Sequence, residues 1–252
     1  MNPTSNLNPN VYYYNGSKDI TEFEIPNNFT EIGKKAFWDC SSLTKITIPN
    51  TVTEIGENAF SHCSSLTDIV IQNGVTKIGN GAFVGCSKLK NITIPNSVTE
   101  IGEYAFSCCS SLTSIAIPNN VTKICSSSFT CCESLKNITI PESVTEICSS
   151  AFEGCPSLSN VIIPNSVTKI GDGAFWGCSS LTSITIPNGV IEISGYSFEE
   201  CSSLSNVIIP SSVMIIGEKA FSGCSIKNII IPNDAAKIAP GAFPVDCKVN
   251  KI

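Results

Sequence analysis

The apolar positions of this chain recur at a fixed period. Phenylalanine stands at 37, 60, 83, 106, 129, 152, 175, 198 and 221, always 23 residues apart, and again at Phe243 after 22. Cysteine follows three behind each, at Cys40, Cys63, Cys86, Cys109, Cys132, Cys155, Cys178, Cys201 and Cys224, and Cys247 lies four behind Phe243. The unit reads roughly C-S-S-L-T-x-I-T-I-P-N-S-V-T-x-I-G-x-x-A-F-x-x. A one-residue deletion at Ser225-Ile226 and an insertion at Pro244 to Asp246 cancel, so the cysteine register survives. A single ancestral repeat accounts for this regularity.

Within one unit the apolar residues are Leu43, Ile46, Ile48, Val52, Ile55, Ala59, Phe60 and Cys63. They alternate across Ile46 and Ile48, which predicts a short strand, and are spaced irregularly elsewhere. No single strand or helix hides such a set. A coil that turns back on itself points them all inward, with Pro49-Asn50 and the Gly56 region as corners. Pro49 closes the strand because it has no N–H for a continuing ladder. Stacked coils place like on like, with strands paired in parallel at ~4.8 Å. Stability then resides between neighbours, and an isolated coil is not expected to fold.

The ends depart from the unit. Ile20-Thr21-Glu22-Phe23-Glu24-Ile25-Pro26 is a degenerate first strand, preceded by Tyr12-Tyr13-Tyr14 and an Asn15-Gly16 turn. The aromatic cluster is placed to cover the first coil's open face. Residues 1–19 are therefore read as a tail and aromatic cap, and 20–252 as one repeat domain. Residues 1 to about 10 are expected to be disordered. At the far end Asp234-Ala235-Ala236 replaces the usual Ser-Val-Thr.

The segments Leu112-Thr113-Ser114-Ile115-Ala116-Ile117-Pro118 and Val98-Thr99-Glu100-Ile101-Gly102-Glu103-Tyr104-Ala105-Phe106 resemble the BspA-like, Treponema-type leucine-rich repeat, and the resemblance runs from residue 20 to about 247. It implies a right-handed leucine-rich-repeat solenoid of α/β class, mostly β. About ten stacked 23-residue coils would carry a concave parallel β-sheet and short helical or irregular convex segments. It also implies a surface protein that binds host matrix proteins or other cells. Gln72 stands in place of proline, and Cys125, Cys148 and Ser194 in place of the I-G glycine. None of these departures is expected to break the pattern.

Charge and composition narrow the chemistry. Fifteen basic against 21 acidic side chains give a net charge of −6, with no Lys/Arg cluster to attract nucleic acid or anionic membrane. No stretch approaches the ~18 apolar residues of a membrane-spanning helix, so direct membrane insertion is not expected. The first ten residues have neither a basic start nor an apolar run, which argues against a secretory signal peptide. Localisation thus divides: surface or secreted by resemblance, cytoplasmic by the unsignalled start. The sequons at Asn15, Asn28, Asn91, Asn120 and Asn137 are read as accidental on the same ground.

No catalytic constellation or cofactor motif is visible. His62, the one histidine, precedes Cys63, but adjacent residues of a turning chain point apart, and it is read as a surface side chain. The ten ladder cysteines are read as buried free thiols behaving as small hydrophobes. The other four form two stacked pairs, Cys108 with Cys131 and Cys125 with Cys148, each 23 apart. These are the disulfide candidates if the chain meets an oxidising compartment.

Two outward columns point to a surface. One column reads Glu31, Glu54, Lys77, Glu100, Lys123, Glu146, Lys169, Glu192, Ile215 and Lys237; its sign alternates from 54 to 192, a device for stabilising stacked strands. On the main strand the exposed positions turn from polar to apolar toward the C-terminus. There Asn137, Thr139, Asn160, Ile162, Ser183, Thr185, Asn206, Ile208, Asn228 and Ile230 offer β-branched side chains among amides. Such a face suits a protein ligand, although strand propensity favours the same residues. The leading expectation is a non-enzymatic protein-interaction scaffold, adhesin-like at the cell surface; the alternative is an intracellular assembly scaffold.

Overall fold

The computed structural model describes residues 8–232 and 236–252. Each coil presents three runs of backbone to its neighbours. Strands such as Lys45–Ile48 and Asp68–Ile71 form a long-strand face. Two-residue strands such as Glu54–Ile55 and Lys77–Ile78 form a short-strand face. Turn segments such as 57–62 and 80–85 form the third side. The strand pairs are parallel and keep the repeat register, as in Ile46↔Ile69 and Ile55↔Ile78.

The alternation seen in the sequence places Ile46 and Ile48 inside and Lys45 outside. The rings from Phe37 to Phe243 stack one over another with centroids 5.2–5.5 Å apart. Leucine, isoleucine, valine and alanine columns fill the space around them. The predicted stack of about ten coils is thus the observed architecture.

The third side is not helical; no helix occurs among the described residues. Lys35, Phe37 and Asp39 donate their N–H groups to Glu57, Ala59 and Ser61 of the next coil at 2.7–2.9 Å. The intervening N–H groups of Ala36, Trp38 and Cys40 donate three residues back at 3.1 Å. Lys35 and Asp39 have φ of 58° and 60°, and the same two places are left-handed at Asn58 and His62, Gly81 and Gly85, and Tyr104 and Cys108. A left-handed residue at every fourth position excludes a helix and links overlapping turns instead.

At the N-terminal end, Val11–Tyr12 adds a strand beside Glu31–Ile32. Tyr12 and Tyr14 stack on Phe37 at 5.8 and 5.1 Å. Residues 8–10, expected to be disordered, are instead held: Val11 N–H donates to Asn8 O at 3.1 Å and Thr30 N–H to Asn10 O at 2.9 Å. Residues 1–7 lie outside the described residues, as do Asp234 and Ala235 of the expected terminal replacement.

Two of the departures do break the pattern. The I-G glycine lets coils approach: a Cβ on Gly79 would meet Gly56 C at 2.9 Å, and one on Gly102 would meet Asn80 N at 2.6 Å. The amides of Gly56, Gly79, Gly102, Gly171 and Gly217 each donate to the isoleucine carbonyl of the preceding coil at 2.8–2.9 Å. Cys125 carries a Cβ, and its bond to Ile101 O is absent, as is that from Thr122 N–H to Thr99 O. The short-strand sheet is interrupted there, between Glu100–Ile101 and Lys123–Ile124. At Ser194 the amide bond is also missing, as is that from Ile191 N–H to Thr168 O, but the hydroxyl donates to Ile170 O at 2.7 Å, and Ile170↔Ile193 keeps the sheet joined. Cys148 retains its bond to Ile124 O at 2.9 Å.

Candidate functional site

The long-strand face is built from strands whose inward residues anchor the core and whose outward residues are free. All ten candidate residues, Asn137 to Ile230, are exposed. Ile162, Ile208 and Ile230 are 76%, 64% and 57% accessible, far above what β-branched side chains in a strand retain when covered. Registered pairing sets Ser183 beside Asn206, Thr185 beside Ile208, and Asn137 beside Asn160. Ile162 stands between two shallow grooves. Asn137, Thr139 and Asn160 line one of ≈ 330 Å³, and Asn160, Ser183 and Thr185 line another of ≈ 340 Å³.

The face is not one sheet. Pairing stops between the coils of Asn160 and Ser183, and again between Ile208 and Asn228. The second stop coincides with the deletion at Ser225-Ile226. Asn228 and Ile230 then pair with Lys248 and Asn250, 20 residues on, so the last step is three residues shorter than the 23-residue spacing.

A second apolar patch lies on the short-strand face. Ile191, Met214 and Ile215 are exposed at 60%, 44% and 39%, and Met214 N–H donates to Ile191 O at 2.7 Å. The signal was present in the sequence: Ile191 and Met214 continue the column that reads threonine from Thr30 to Thr168. Those threonines face the solvent, and all but Thr122 donate to the preceding turn of chain, as Thr53 Oγ1 does to Thr30 O at 3.1 Å.

The alternating charges join into two separate chains. Lys77 bridges Glu54 and Glu100 at 3.4 and 4.0 Å, and Glu146 bridges Lys123 and Lys169 at 2.8 and 2.6 Å. The side-chain hydrogen bonds from Lys123 and Lys169 hold the Glu146 carboxyl below its usual value. Glu31 has Glu54 rather than lysine beside it; burial and that neighbouring charge push it up.

All fourteen cysteines are thiols. From Cys63 to Cys224 each ladder sulfur donates to the carbonyl of a phenylalanine 26 residues earlier, as Cys63 Sγ does to Phe37 O at 3.1 Å and Cys224 Sγ to Phe198 O at 3.1 Å. Seven of these eight carbonyls, all but that of Phe152, already accept an amide in their own coil, so the thiol fills the second lone pair. Burial pushes the Cys63 and Cys109 thiols up to about 12. Cys108 and Cys131 are exposed; Cys125 and Cys148 are half-buried. His62 is exposed at a left-handed turn position.

Among the described residues no three His, Cys, Asp or Glu side chains gather to hold a metal ion. No helix among them is long and apolar enough to cross a membrane. A third groove, ≈ 300 Å³, lies on the turn side between Trp176 and Tyr196 with Glu153, Asp172 and Glu199, where Lys219 already bridges Glu199 at 3.5 Å.

The model of the BspA type leucine rich repeat region matches residues 6–135 and 122–250, in six copies. A leucine rich cell surface protein from Faecalibacterium prausnitzii is 31% identical, with TM-score 0.65, over 90% of this chain and 79% of that one. A leucine-rich repeat protein from Bacteroides ovatus is 29% identical over 96% of this chain and 87% of that one, with TM-score 0.44. The leucine rich repeat protein of T. pallidum is 26% identical over 82% and 76%, with TM-score 0.43. No curated protein matches the chain.

Proposed function

The chain belongs to the BspA-type leucine-rich repeat family, and from that premise we propose that it is a surface-displayed, adhesin-like scaffold whose long-strand face binds a protein partner. The observation that carries the reading is the line of Ile162, Ile208 and Ile230 standing exposed among Asn137, Asn160, Asn206 and Asn228. Isoleucines offer area to desolvate, and the amides offer donors and acceptors to a partner's polar groups. The grooves on either side of Ile162 are shallow, which suits a protein surface better than an enclosed small molecule. The similarity to a cell surface protein of F. prausnitzii favours display outside the cell. Host matrix or cell-surface proteins are the partners this reading points to.

The test measures adhesion to a panel of immobilised matrix proteins and host cells, with the chain carrying Ile162→Lys, Ile208→Lys and Ile230→Lys compared with the parent. These positions point away from the core, so the fold should persist. Loss of binding at least tenfold is expected; unchanged binding to a ligand the parent holds would remove this face. Surface biotinylation of intact producing cells tests display, and labelling only after lysis would favour the intracellular assembly scaffold.

A further inference from the structure

The break at Cys125 lies next to two exposed thiols. Cys108 belongs to the coil of Glu100–Ile101 and Cys131 to the coil of Lys123–Ile124, so the pair faces across the same interruption of the short-strand sheet. On the turn side the two coils remain bonded: Cys108 N–H donates to Thr130 O at 2.8 Å, and Phe106 N–H to Ser128 O at 2.8 Å. Both residues are left-handed, with φ of 58° and 57°, so their side chains leave the backbone in the same sense. Neighbouring rungs of a bonded ladder hold Cα atoms inside the range a disulfide requires. Gly85 precedes the pair in the column and Gly154 follows it, each left-handed, so no side chain from the neighbouring positions of the column crowds the sulfurs. Core sulfurs are fixed by bonds to carbonyls; these two are exposed, with Cys108 Sγ 3.6 Å from the Ser107 hydroxyl.

We propose that Cys108 and Cys131 form a thiol–disulfide switch that staples the solenoid across the interrupted short-strand seam, with a low-molecular-weight disulfide such as oxidised glutathione as the oxidant. One cysteine thiolate attacks a glutathione sulfur, forming a mixed disulfide and releasing one glutathione thiolate. The second cysteine gives up its proton and attacks the protein sulfur, releasing the other glutathione. The protein loses two electrons and two protons, and one oxidised glutathione becomes two reduced molecules. Burial and the Cys108 neighbour push the Cys131 thiol up, so the exchange runs faster at alkaline pH. Cys125 and Cys148 stack on a step whose amide bond is intact, and both are half-buried, which sets them behind the first pair.

The full chain is equilibrated with oxidised and reduced glutathione at about pH 8.5, quenched by alkylation and cleaved after lysine. Lys123 separates the two cysteines onto different peptides, and fragmentation assigns the sulfurs. A Cys108–Cys131 link is expected as the first protein disulfide. It should lower the unfolding equilibrium constant on the order of a hundredfold and slow hydrogen exchange at Thr122 and Cys125. Cys108→Ser and Cys131→Ser should each abolish the link and the slowing, with circular dichroism unchanged. Glutathione retained singly on Cys108 or Cys131, free thiols at both, or a Cys125–Cys148 link forming first would each overturn the proposal.

Discussion

Of the coils that have lost the glycine that lets them lie close against the coil before, those of Ser194 and Cys125 have met the loss differently. In the coil of Ser194 the new hydroxyl takes over the bond to Ile170 O, and a second serine, Ser197, stands where most coils have alanine. Ser197 is buried and donates to Gly171 O and Ser194 O. In the coil of Cys125 the thiol makes no such bond, and Ser128, equally buried at the equivalent place, has no partner for its hydroxyl. The rings record the difference. Phe175 to Phe198 is 5.2 Å, like the steps that keep glycine, whereas Phe106 to Phe129 and Phe129 to Phe152 are 5.5 Å. The charge column agrees in part, because its bridges stop at both places: Glu100 does not reach Lys123, nor Lys169 Glu192. A small polar side chain that reaches the uncovered carbonyl keeps the sheet joined, even where the amides of residues 191 and 194 have lost their bonds.

The largest expected difference between the two coils is in the core. Phe198→Ala removes a ring packed at 5.2 Å on both sides, and Phe129→Ala one packed at 5.5 Å on both sides. Each should destabilise by ~3–5 kcal/mol, with Phe198 toward the upper end. Urea midpoints compare them, and equal or reversed losses would show that the wider steps are not looser. The serines should differ in sign. Ser197→Ala abandons two carbonyls and should cost ~1–2 kcal/mol, whereas Ser128→Ala removes an unpartnered buried hydroxyl and should be neutral or stabilising by up to ~1 kcal/mol. A cost of equal size at both sites would show that Ser128 has a bonded partner in solution.

The period made the columns readable, since any residue 23 places from a buried phenylalanine is itself forced inward. The ten outward residues from Asn137 to Ile230 followed from the same arithmetic. What the period hides is whether neighbouring coils actually bond, because that depends on a single Cβ against a backbone atom. Cys125, Cys148 and Ser194 look alike as replacements, yet one opens the sheet, one does not, and one repairs itself. Ser128 and Ser197 were readable as partners of the lost glycine only once the carbonyls of Ile170 and Gly171 were located. The turn side was legible in part: Gly81, Gly85, Gly173 and Gly177 mark left-handed places, but Tyr104, Cys108 and Glu200 occupy the same places and conceal them. Lys248 and Asn250 were missed because the last step is 20 residues rather than 23, which brings the final strand into register three residues early.

Restoring the glycine is the next test in size. Cys125→Gly should let the amides of residues 122 and 125 bond again, each worth ~1 kcal/mol. Glycine's looser unfolded chain takes back ~0.5–1 kcal/mol, leaving a net gain of roughly 1 kcal/mol. Hydrogen exchange at those two amides should slow, while Ser194→Gly should change stability by less, since regaining the amide bonds of residues 191 and 194 gives up the hydroxyl bond to Ile170 O.

The smallest effect is electrostatic and sets Glu146, bridged on both sides, against Glu192, which Lys169 has deserted. The Glu146 carboxyl is held low in the folded chain by Lys123 and Lys169, so its protons bind more readily when the chain is unfolded. Its contribution is present above the unfolded value of about 4.3 and disappears as pH falls through the lower folded value. The bridging lysines are solvent-exposed, so screening limits this contribution to a few tenths of a kcal/mol. Glu146→Gln should therefore lower stability at neutral pH and leave it unchanged below about pH 3, whereas Glu192→Gln should leave it unchanged at both. Denaturation curves for the two variants at the two pH values decide it, and a neutral-pH loss at Glu192 as large as at Glu146 would mean that the ion ladder runs unbroken past Ser194.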